Sequence, residues 1–185
     1  MAYPGILLEP MSATPLPAAN HRALAWKNGL GVSYTIADFP EGAGFDVVDW
    51  QVGHTEIVVD CPFSNLPGVD RLFMVIEGKG VELSCTDDKG RTRTNRVETL
   101  QAPFAFRGEW PTTCRLLAGP VKVFNVMTRR GKFGAKVEIV AGLEGLLKPG
   151  DETVLAFNPA TRDAWLLDGP LAGVGRVVLV RIRKQ

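Results

Sequence analysis

Residues 71–85, "RLFMVIEGKGVELSC", carry the clearest indication of the fold. The run 72–76 is entirely apolar, whereas the residues after the Gly-Lys-Gly turn alternate between apolar and polar from Val81 to Ser84. A continuous apolar run is typical of a strand buried on both faces, and alternation is typical of a strand buried on one face. The stretch therefore predicts two strands joined as a β-hairpin, one half of which is deeply buried.

Strand patterns of the same kind continue along the chain on both sides of this stretch. "GVSYTIAD" at 31–38 and "DVVDWQVG" at 46–53 alternate as half-buried strands do, with Asp49 and Gln51 on the polar side of the second. Turn signals recur about every ten residues as far as "GRVVLVRIRK" at 175–184, and helical periodicity is nearly absent. We therefore predict an all-β fold built as a sandwich or a barrel.

A change in composition at "RRGKFGAK", residues 129–136, suggests how the chain is divided. Aromatic and polar motifs precede this stretch, and plainer strands follow it. We predict a first barrel over residues 1–136 and a second, smaller barrel-like part over residues 137–185, packed on the first without a flexible linker.

Composition excludes several classes of function. The 185 residues carry a net charge of +1, so no overall field attracts nucleic acid or an anionic membrane. No run of apolar residues is long enough for a membrane span, and residues 1–10 lack the basic start of an export signal. We expect a cytoplasmic protein in which Cys61, Cys85 and Cys114 are reduced.

Metal and nucleophile chemistry also find little support. The chain has only two histidines, His21 and His54, so a three-histidine metal site cannot form within one subunit. His54 and Glu56 share a strand face, but an isolated His-x-Glu pair is a weak signal. There is no G-x-S-x-G nucleophile motif. We expect neither a metal nor another cofactor.

Polar residues inside apolar strands are the remaining candidates for a site, because burying an unpaired polar group is costly. Asp70 and Arg71 lie at the mouth of the buried strand, and Asn125 shares a strand face with Val123 and Met127. The alternatives are a local ion pair or a turn cap at 70–71, and an amide at Asn125 that holds a neighbouring loop.

Two other stretches add candidates to this set. The Asn-Gly turn in "AWKNGLG" at 25–31 either is a plain turn or presents Lys27 and Asn28 to a ligand, and Phe104 and Phe106 form either core or a stacking surface. A guanidinium, an ammonium and an amide together suit a small carboxylate or carboxamide. The candidate ligand-binding residues are Lys27, Asn28, Asp70, Arg71, Phe104, Phe106 and Asn125.

Four stretches in order resemble the HutD/Ves family: "HRALAWKNGLG" at 21–31, "DCPFSNLPGVDRLFMVIEGKGVEL" at 60–83, "PFAFRGE" at 103–109 and "LLAGPVKVFNVMTRRG" at 116–131. The resemblance covers roughly residues 5 to 133. The matching positions are Trp26, Lys27, Asn28, Gly29, Pro62, Phe63, Ser64, Pro67, Gly68, Asp70, Arg71, Phe104, Phe106, Asn125, Met127, Arg129 and Arg130. Thr35 and Val123 stand where the family commonly has carboxylates, and Arg107 replaces a proline.

The resemblance implies a bicupin fold of two β-barrel-like halves. It implies no established enzymatic activity, but a regulatory role in histidine utilisation through binding of an intermediate such as urocanate or formylglutamate. Our first hypothesis is a metal-independent protein that binds a small anionic metabolite and regulates its use. The alternatives are a metal-free cupin isomerase or hydrolase of a small carboxylate, with Lys27 or Asp70 as acid or base, and a plain interaction module. The sequence leaves open whether the chain acts alone or as a homodimer.

Overall fold

The all-β prediction is confirmed. The computed structural model describes residues 13–26, 31–44, 47–143, 150–169 and 173–185, and within these ranges it has fifteen strands and one short 3-10 helix, Ala18–Asn20. No helix in the described ranges is long and apolar enough to cross a membrane. The strands form three sheets.

The largest sheet lies in the middle of the molecule. Its six strands are, in order, β2 (Arg22–Ala25), β3 (Val32–Phe39), β4 (Trp50–Ile57), β11 (Val121–Arg129), β6 (Val69–Glu77) and β9 (Phe104–Arg107).

One face of this central sheet packs on a four-stranded sheet and the other on a five-stranded sheet. The four-stranded sheet consists of β5 (Cys61–Pro62), β10 (Thr112–Leu116), β7 (Val81–Thr86) and β8 (Thr92–Val97). The five-stranded sheet consists of β1 (Ala13–Leu16), β14 (Ala164–Leu167), β13 (Glu152–Phe157), β15 (Val177–Lys184) and β12 (Phe133–Val140). The five-stranded sheet thus joins the N-terminal strand β1 to the C-terminal strands. β12 spans residue 136, where the sequence predicts the boundary between the two parts, and the position of this boundary stays a prediction.

The middle position of the central sheet explains its buried strands. Alternate residues of β6 and β11 enter two different hydrophobic clusters: Phe73 and Val123 face the four-stranded sheet, and Met74 and Phe124 face the five-stranded sheet. The prediction that β4 is half-buried, with Gln51 on a polar face, is therefore wrong. Gln51 is 3% exposed because both faces of β4 are covered.

The predicted hairpin over residues 71–85 is also wrong. Its two strands, β6 and β7, form as expected, but they pair in different sheets. Gly78 and Gly80 have φ values of +103 and +101, and a Cβ on Gly80 would lie 2.6 Å from the Val97 carbonyl oxygen. The turn therefore carries the chain across the core, so that the apolar faces of β6 and β7 pack against each other. The next turn, "TDDKGRT" at 86–92, does close a hairpin, between β7 and β8.

Candidate functional site

A cavity of about 400 Å³ lies on the face of the central sheet that packs on the four-stranded sheet. It is bounded by β3, β4, β6 and β11, by the end of β2, and by the segment 62–66, which begins with the last residue of β5. Its volume lies in the range of small-molecule sites, roughly 300–1,000 Å³. We call it the Arg71 cavity, because Arg71 is the buried cation in its wall.

Strand register places the polar residues of this cavity together. Arg71 lies opposite Met127, which lies opposite Gln51, and this forms one row across β6, β11 and β4. In the next row on the same face, Asn125 lies between Phe73 and Gly53. Directly opposed residues in antiparallel strands point to the same side of the sheet, so the guanidinium of Arg71 and the amide of Asn125 share this face.

Two aromatic rings hold the Arg71 guanidinium. Its Cζ lies 4.8 Å from the centroid of the Phe63 ring and 4.9 Å from that of Phe106, and the residue is only 8% exposed. Cation–π attraction to two rings offsets part of the cost of burying the charge. Among the described residues no carboxylate forms an ion pair with Arg71, and its Nε is buried without a hydrogen bond. Burial lowers the pKa of Arg71 to about 10, so the side chain remains charged at neutral pH.

The Asn125 amide is the second polar group without a partner in this cavity. Its Oδ1 is buried and accepts no hydrogen bond from the described part of the chain. Buried polar atoms almost always have a partner. The cavity wall therefore contains a donor, Arg71 Nε, and an acceptor, Asn125 Oδ1, and both are buried without a hydrogen-bond partner among the described residues.

Trp26, which directly follows β2, lines the cavity. Its Nε1 donates to Ser33 Oγ at 2.8 Å, its backbone N–H donates to the Gly31 carbonyl oxygen at 2.9 Å, and its ring packs on Gly31. The tryptophan of "AWKNGLG" thus fixes the start of β3 and forms part of the wall. Lys27 and Asn28 lie outside the described residues, and their part in ligand binding stays a prediction.

Two of the predicted site residues lie elsewhere. Asp70 points away from the cavity because consecutive residues of a strand face opposite sides, and it accepts a hydrogen bond from Arg130 Nε at 2.8 Å. Phe104 stacks on Phe106 with ring centroids 5.6 Å apart and lines a different cleft. Of the predicted site residues, Arg71 and Asn125 line the Arg71 cavity. Phe106 does not line it but contacts the Arg71 guanidinium with its ring.

The cleft lined by Phe104 is larger, about 450 Å³, but its charges are largely neutralised. Asp87 binds Arg91, and Asp88 accepts hydrogen bonds from Arg107 and the Trp110 indole. These side chains are exposed and make ordinary surface ion pairs, which carry little binding energy. The buried Arg71 cavity is therefore the better candidate for a site.

Sequence reasoning missed Phe63 and Gln51 as parts of the site. Phe63 follows a two-residue strand, and no local pattern indicates that its ring covers Arg71. Gln51 lies in the same row as Arg71 and is buried in the cavity wall. Its signal was a polar residue in the middle of a strand, which we assigned to a solvent-facing side.

The two histidines also form an arrangement that the sequence did not indicate. His21 Nδ1 lies 3.1 Å from His54 Nε2, and His21 Nε2 lies 3.2 Å from the Leu16 carbonyl oxygen. Because a carbonyl only accepts, His21 Nε2 carries the proton, and His54 Nε2 then donates to His21 Nδ1. Burial lowers the pKa of both rings, that of His54 to about 4, so the pair is neutral. Within the described ranges no three His, Cys, Asp or Glu side chains are grouped to hold a metal ion.

Comparison with known proteins relates the chain to one family. The family model described as HutD matches residues 18–168. A Pseudomonas putida protein described as an uncharacterized 21.2 kDa protein in the hutC 3' region is 29% identical over 142 residues, which are 77% of this chain and 71% of that protein. Protein Ves of Escherichia fergusonii is 33% identical over 115 residues, 62% of this chain and 56% of that protein.

Solved structures agree with the sequence relatives. HutD from Pseudomonas fluorescens SBW25, described under a formate condition, aligns with a TM-score of 0.78 and 26% identity, over 94% of this chain and all of that one. A formate complex of oxalate decarboxylase from Lactobacillus farciminis aligns with a TM-score of 0.59 at 7% identity, over 92% of this chain and 86% of that one. The second likeness concerns the fold alone and agrees with the predicted cupin-like architecture.

Proposed function

Because this chain belongs to the HutD family, we propose that it binds a small anionic metabolite in the Arg71 cavity and thereby regulates the use of that metabolite. The pathway is histidine utilisation or one related to it, as the descriptions of its relatives suggest. The observation that carries this proposal is a buried guanidinium with no carboxylate partner in the described chain. A charge in such a position is costly unless a counter-ion neutralises it.

A carboxylate is the ligand group that this wall fits best. The two rings beside Arg71 hold its planar guanidinium in one orientation, and a carboxylate can accept hydrogen bonds from two of its N–H groups at once. Hydrogen bonds to charged groups contribute about 1.5–3 kcal/mol each.

The Asn125 amide restricts the rest of the ligand. Its free acceptor, Oδ1, fits a ligand that carries an N–H or O–H donor in addition to its carboxylate. Urocanate has an imidazole N–H and formylglutamate has an amide N–H, so both combine the two required groups. Formate has the carboxylate only and serves as a minimal probe.

The geometry favours binding over catalysis. Asp70, which the sequence offered as an acid or base, forms an ion pair with Arg130 outside the cavity. Arg71 keeps its proton well above neutral pH and is therefore a poor proton donor. A binding protein needs only the hydrogen-bond donors and acceptors that this wall supplies.

The test is a ligand screen followed by a matched pair of variants. Thermal shift with formate, urocanate, formylglutamate and succinate identifies a binder, and isothermal titration measures its affinity. Arg71→Met should weaken binding by roughly ten- to a hundredfold, since about 1.4 kcal/mol corresponds to a factor of ten. Arg115→Met removes an exposed arginine that pairs with Glu82, and it should leave the affinity unchanged.

Equal affinity of the wild type and a folded Arg71→Met variant would overturn the site. Failure of all four acids to bind would overturn the proposed ligand class. Arg71→Lys separates charge from geometry, because lysine keeps the charge but cannot form the bidentate contact. We expect this variant to bind more weakly than the wild type and more tightly than Arg71→Met.

A further inference from the structure

Cys61 and Cys114 lie directly opposite each other on neighbouring antiparallel strands, β5 and β10. Both side chains point into the cluster between the central and four-stranded sheets and are 4% and 2% exposed. The structure has both as free thiols. We infer that this pair is a modification site, at which a small-molecule disulfide such as oxidised glutathione converts the two thiols to a cross-strand disulfide.

The register brings the two cysteines within reach of each other. Pro62 has no N–H, so the pair Pro62–Thr113 makes no reciprocal hydrogen bonds, and the neighbouring pair Cys61–Cys114 takes the hydrogen-bonded position. Cα atoms in such pairs are about 5.5 Å apart, and disulfides span about 4.4–6.8 Å between Cα atoms. The Cβ atoms must approach by about 1–2 Å, which a two-residue edge strand can accommodate by shifting.

Neither of the other two pairings is possible in this fold. Cys85 of β7 lies opposite Thr112 of β10, and Cys114 of β10 lies opposite Leu83 of β7. Cys85 and Cys114 are therefore diagonal neighbours. Diagonal neighbours are about 7–8 Å apart, which is beyond disulfide range. β10 lies between β5 and β7, so Cys61 and Cys85 are separated by two strand spacings, about 10 Å. Cys85 is therefore an internal control for the pair.

Oxidant reaches the pair when β5 opens. This edge strand has two residues, and the bonds on either side of it run from Phe63 N–H to the Thr112 carbonyl oxygen and from Leu116 N–H to Asp60 Oδ1. An edge with so few bonds opens locally at low cost. In the closed state, burial raises the pKa of both thiols, that of Cys114 to about 12, and so suppresses the reactive thiolate.

The reaction balances without another reactant. The Cys61 thiolate attacks glutathione disulfide, which forms a mixed disulfide and releases one glutathione thiolate. The Cys114 thiolate then attacks the Cys61 sulfur, which forms the protein disulfide and releases the second glutathione thiolate. Two protein thiols are oxidised, one small disulfide is reduced, and the two protons pass to the released glutathione.

The test counts thiols in the full chain. Native protein is equilibrated in a glutathione buffer with excess oxidised form, quenched in acid, alkylated in denaturant and analysed by mass spectrometry. A second sample is refolded from urea in the same buffer. We expect the free thiols to fall from three to one in both samples, with a Cys61–Cys114 link and a free Cys85. The native sample should react more slowly.

Matched variants assign the link. Cys85→Ala should still lose two thiols, whereas Cys61→Ala and Cys114→Ala should form no intramolecular disulfide. Three free thiols in the refolded wild type, or a link that includes Cys85, would overturn the inference. A link that forms on refolding but never in the native sample would overturn the opening of β5 as the route.

Hydrogen exchange reports the structural consequence of the link. Cys61 directly precedes the segment 62–66, which forms one wall of the Arg71 cavity. Oxidation should therefore slow amide exchange over residues 60–66 relative to the reduced protein. Neither the exchange measurement nor the thiol count uses a ligand, so their results test the disulfide without testing the proposed function.

Discussion

At the scale of single residues, Asp70 and Arg71 show how neighbours in one strand acquire different roles. Asp70 faces outward and joins Arg130, which also binds both carboxylate oxygens of Glu109. Arg71 faces inward and meets two aromatic rings instead of a carboxylate. The cation–π contacts offset part of the cost of burying the Arg71 charge, and its Nε has no hydrogen-bond partner among the described residues.

Asn125 gives a prediction about stability. A buried acceptor without a partner costs about 1–3 kcal/mol, and an apolar side chain of similar size does not carry that cost. We expect Asn125→Leu to raise the free energy of unfolding of the ligand-free protein by roughly 1 kcal/mol, as measured by urea denaturation. Asn95→Leu, at a partly exposed amide in the cleft beside Phe104, is the control and should change it little. A loss of stability in Asn125→Leu would show that the amide is satisfied in the free protein.

The same variant separates ligands by their hydrogen-bond donors. Asn125→Leu should weaken the binding of urocanate or formylglutamate by roughly tenfold, since it removes one hydrogen bond from the ligand's N–H group. Formate has no such donor, so its affinity should stay within about twofold of the wild type. Titration of both ligands into both proteins measures the difference. A parallel loss for formate would mean that Asn125 supports the position of Arg71 rather than contacting the ligand.

At the scale of elements, β3 and β4 must approach closely to form the floor of the cavity. Gly53 of β4 lies opposite Asn125 of β11. A Cβ on Gly53 would come within 2.7 Å of the Tyr34 backbone carbonyl oxygen. The register between β3 and β4 shifts between Thr35 and Ala37, next to this contact. Backbone atoms cannot yield as a flexible side chain can, so the floor requires glycine at this position.

Gly53→Ala therefore tests the packing of the floor. We expect it to lower the free energy of unfolding by roughly 1–3 kcal/mol, the usual cost of inserting a methyl group into a packed interior. Gly44→Ala is the matched control, because no atom lies within 4 Å of the added Cβ. It should change stability by less than about 0.5 kcal/mol. Equal urea midpoints for the two variants would show that the strands can separate without cost.

At the scale of the whole molecule, the histidine pair connects the central sheet to the five-stranded sheet. His54 lies on β4 and contacts the rings of Tyr34 and Phe157. His21 accepts a hydrogen bond from His54 at Nδ1 and donates one from Nε2 to the carbonyl oxygen of Leu16 on β1. Because β1 and β13 belong to the five-stranded sheet, these contacts cross between two layers. Among the charged groups that act on the pair, Asp163 raises the pKa of His21, whereas Arg162 and Lys122 lower that of His54.

The pair makes stability depend on pH in a defined window. Burial lowers the pKa of His54 from 6.5 to about 4, and that of His21 is also lowered, so the unfolded chain binds more protons than the folded chain between these values. The contribution of the pair is therefore complete above about pH 6.5 and is lost as the pH falls towards 4. The carboxyl groups with lowered pKa values, such as Asp163 and Glu109, lose their contributions at lower pH.

His54→Gln should flatten this dependence, since glutamine does not titrate. We expect the free energy of unfolding of the wild type to fall by roughly 1–2 kcal/mol more than that of the variant between pH 7 and pH 4.5. Urea denaturation at a series of pH values measures both curves, and the variant should be less stable at pH 7. Curves that run parallel from pH 7 to pH 4.5 would contradict the assignment to His54.

The sequence by itself determined the strands and the fold class. Alternation with a period of two and recurring turn signals are local properties, and they placed strands at β3, β4, β6, β7 and β15 without knowledge of their partners. The same local reasoning identified Arg71 and Asn125, because each is a polar residue in an apolar strand. The four family stretches extended this to the cupin-like architecture, which the solved relatives share.

Only the tertiary structure decided which residues meet. Alternation of apolar and polar residues with a period of two indicates that a strand has two different faces, but it does not indicate which sheet the strand joins or what covers each face. Gln51 is therefore buried in the middle layer, Phe63 covers a guanidinium from another sheet, and His21 meets His54 across 33 residues of chain. The apolar faces of β6 and β7 pack across one core instead of pairing as a hairpin. β6 pairs with β11 and β9, and β7 with β10 and β8, so both strands keep their hydrogen-bond ladders while their apolar faces are buried. Such contacts depend on pairings between distant segments, which local periodicity does not encode.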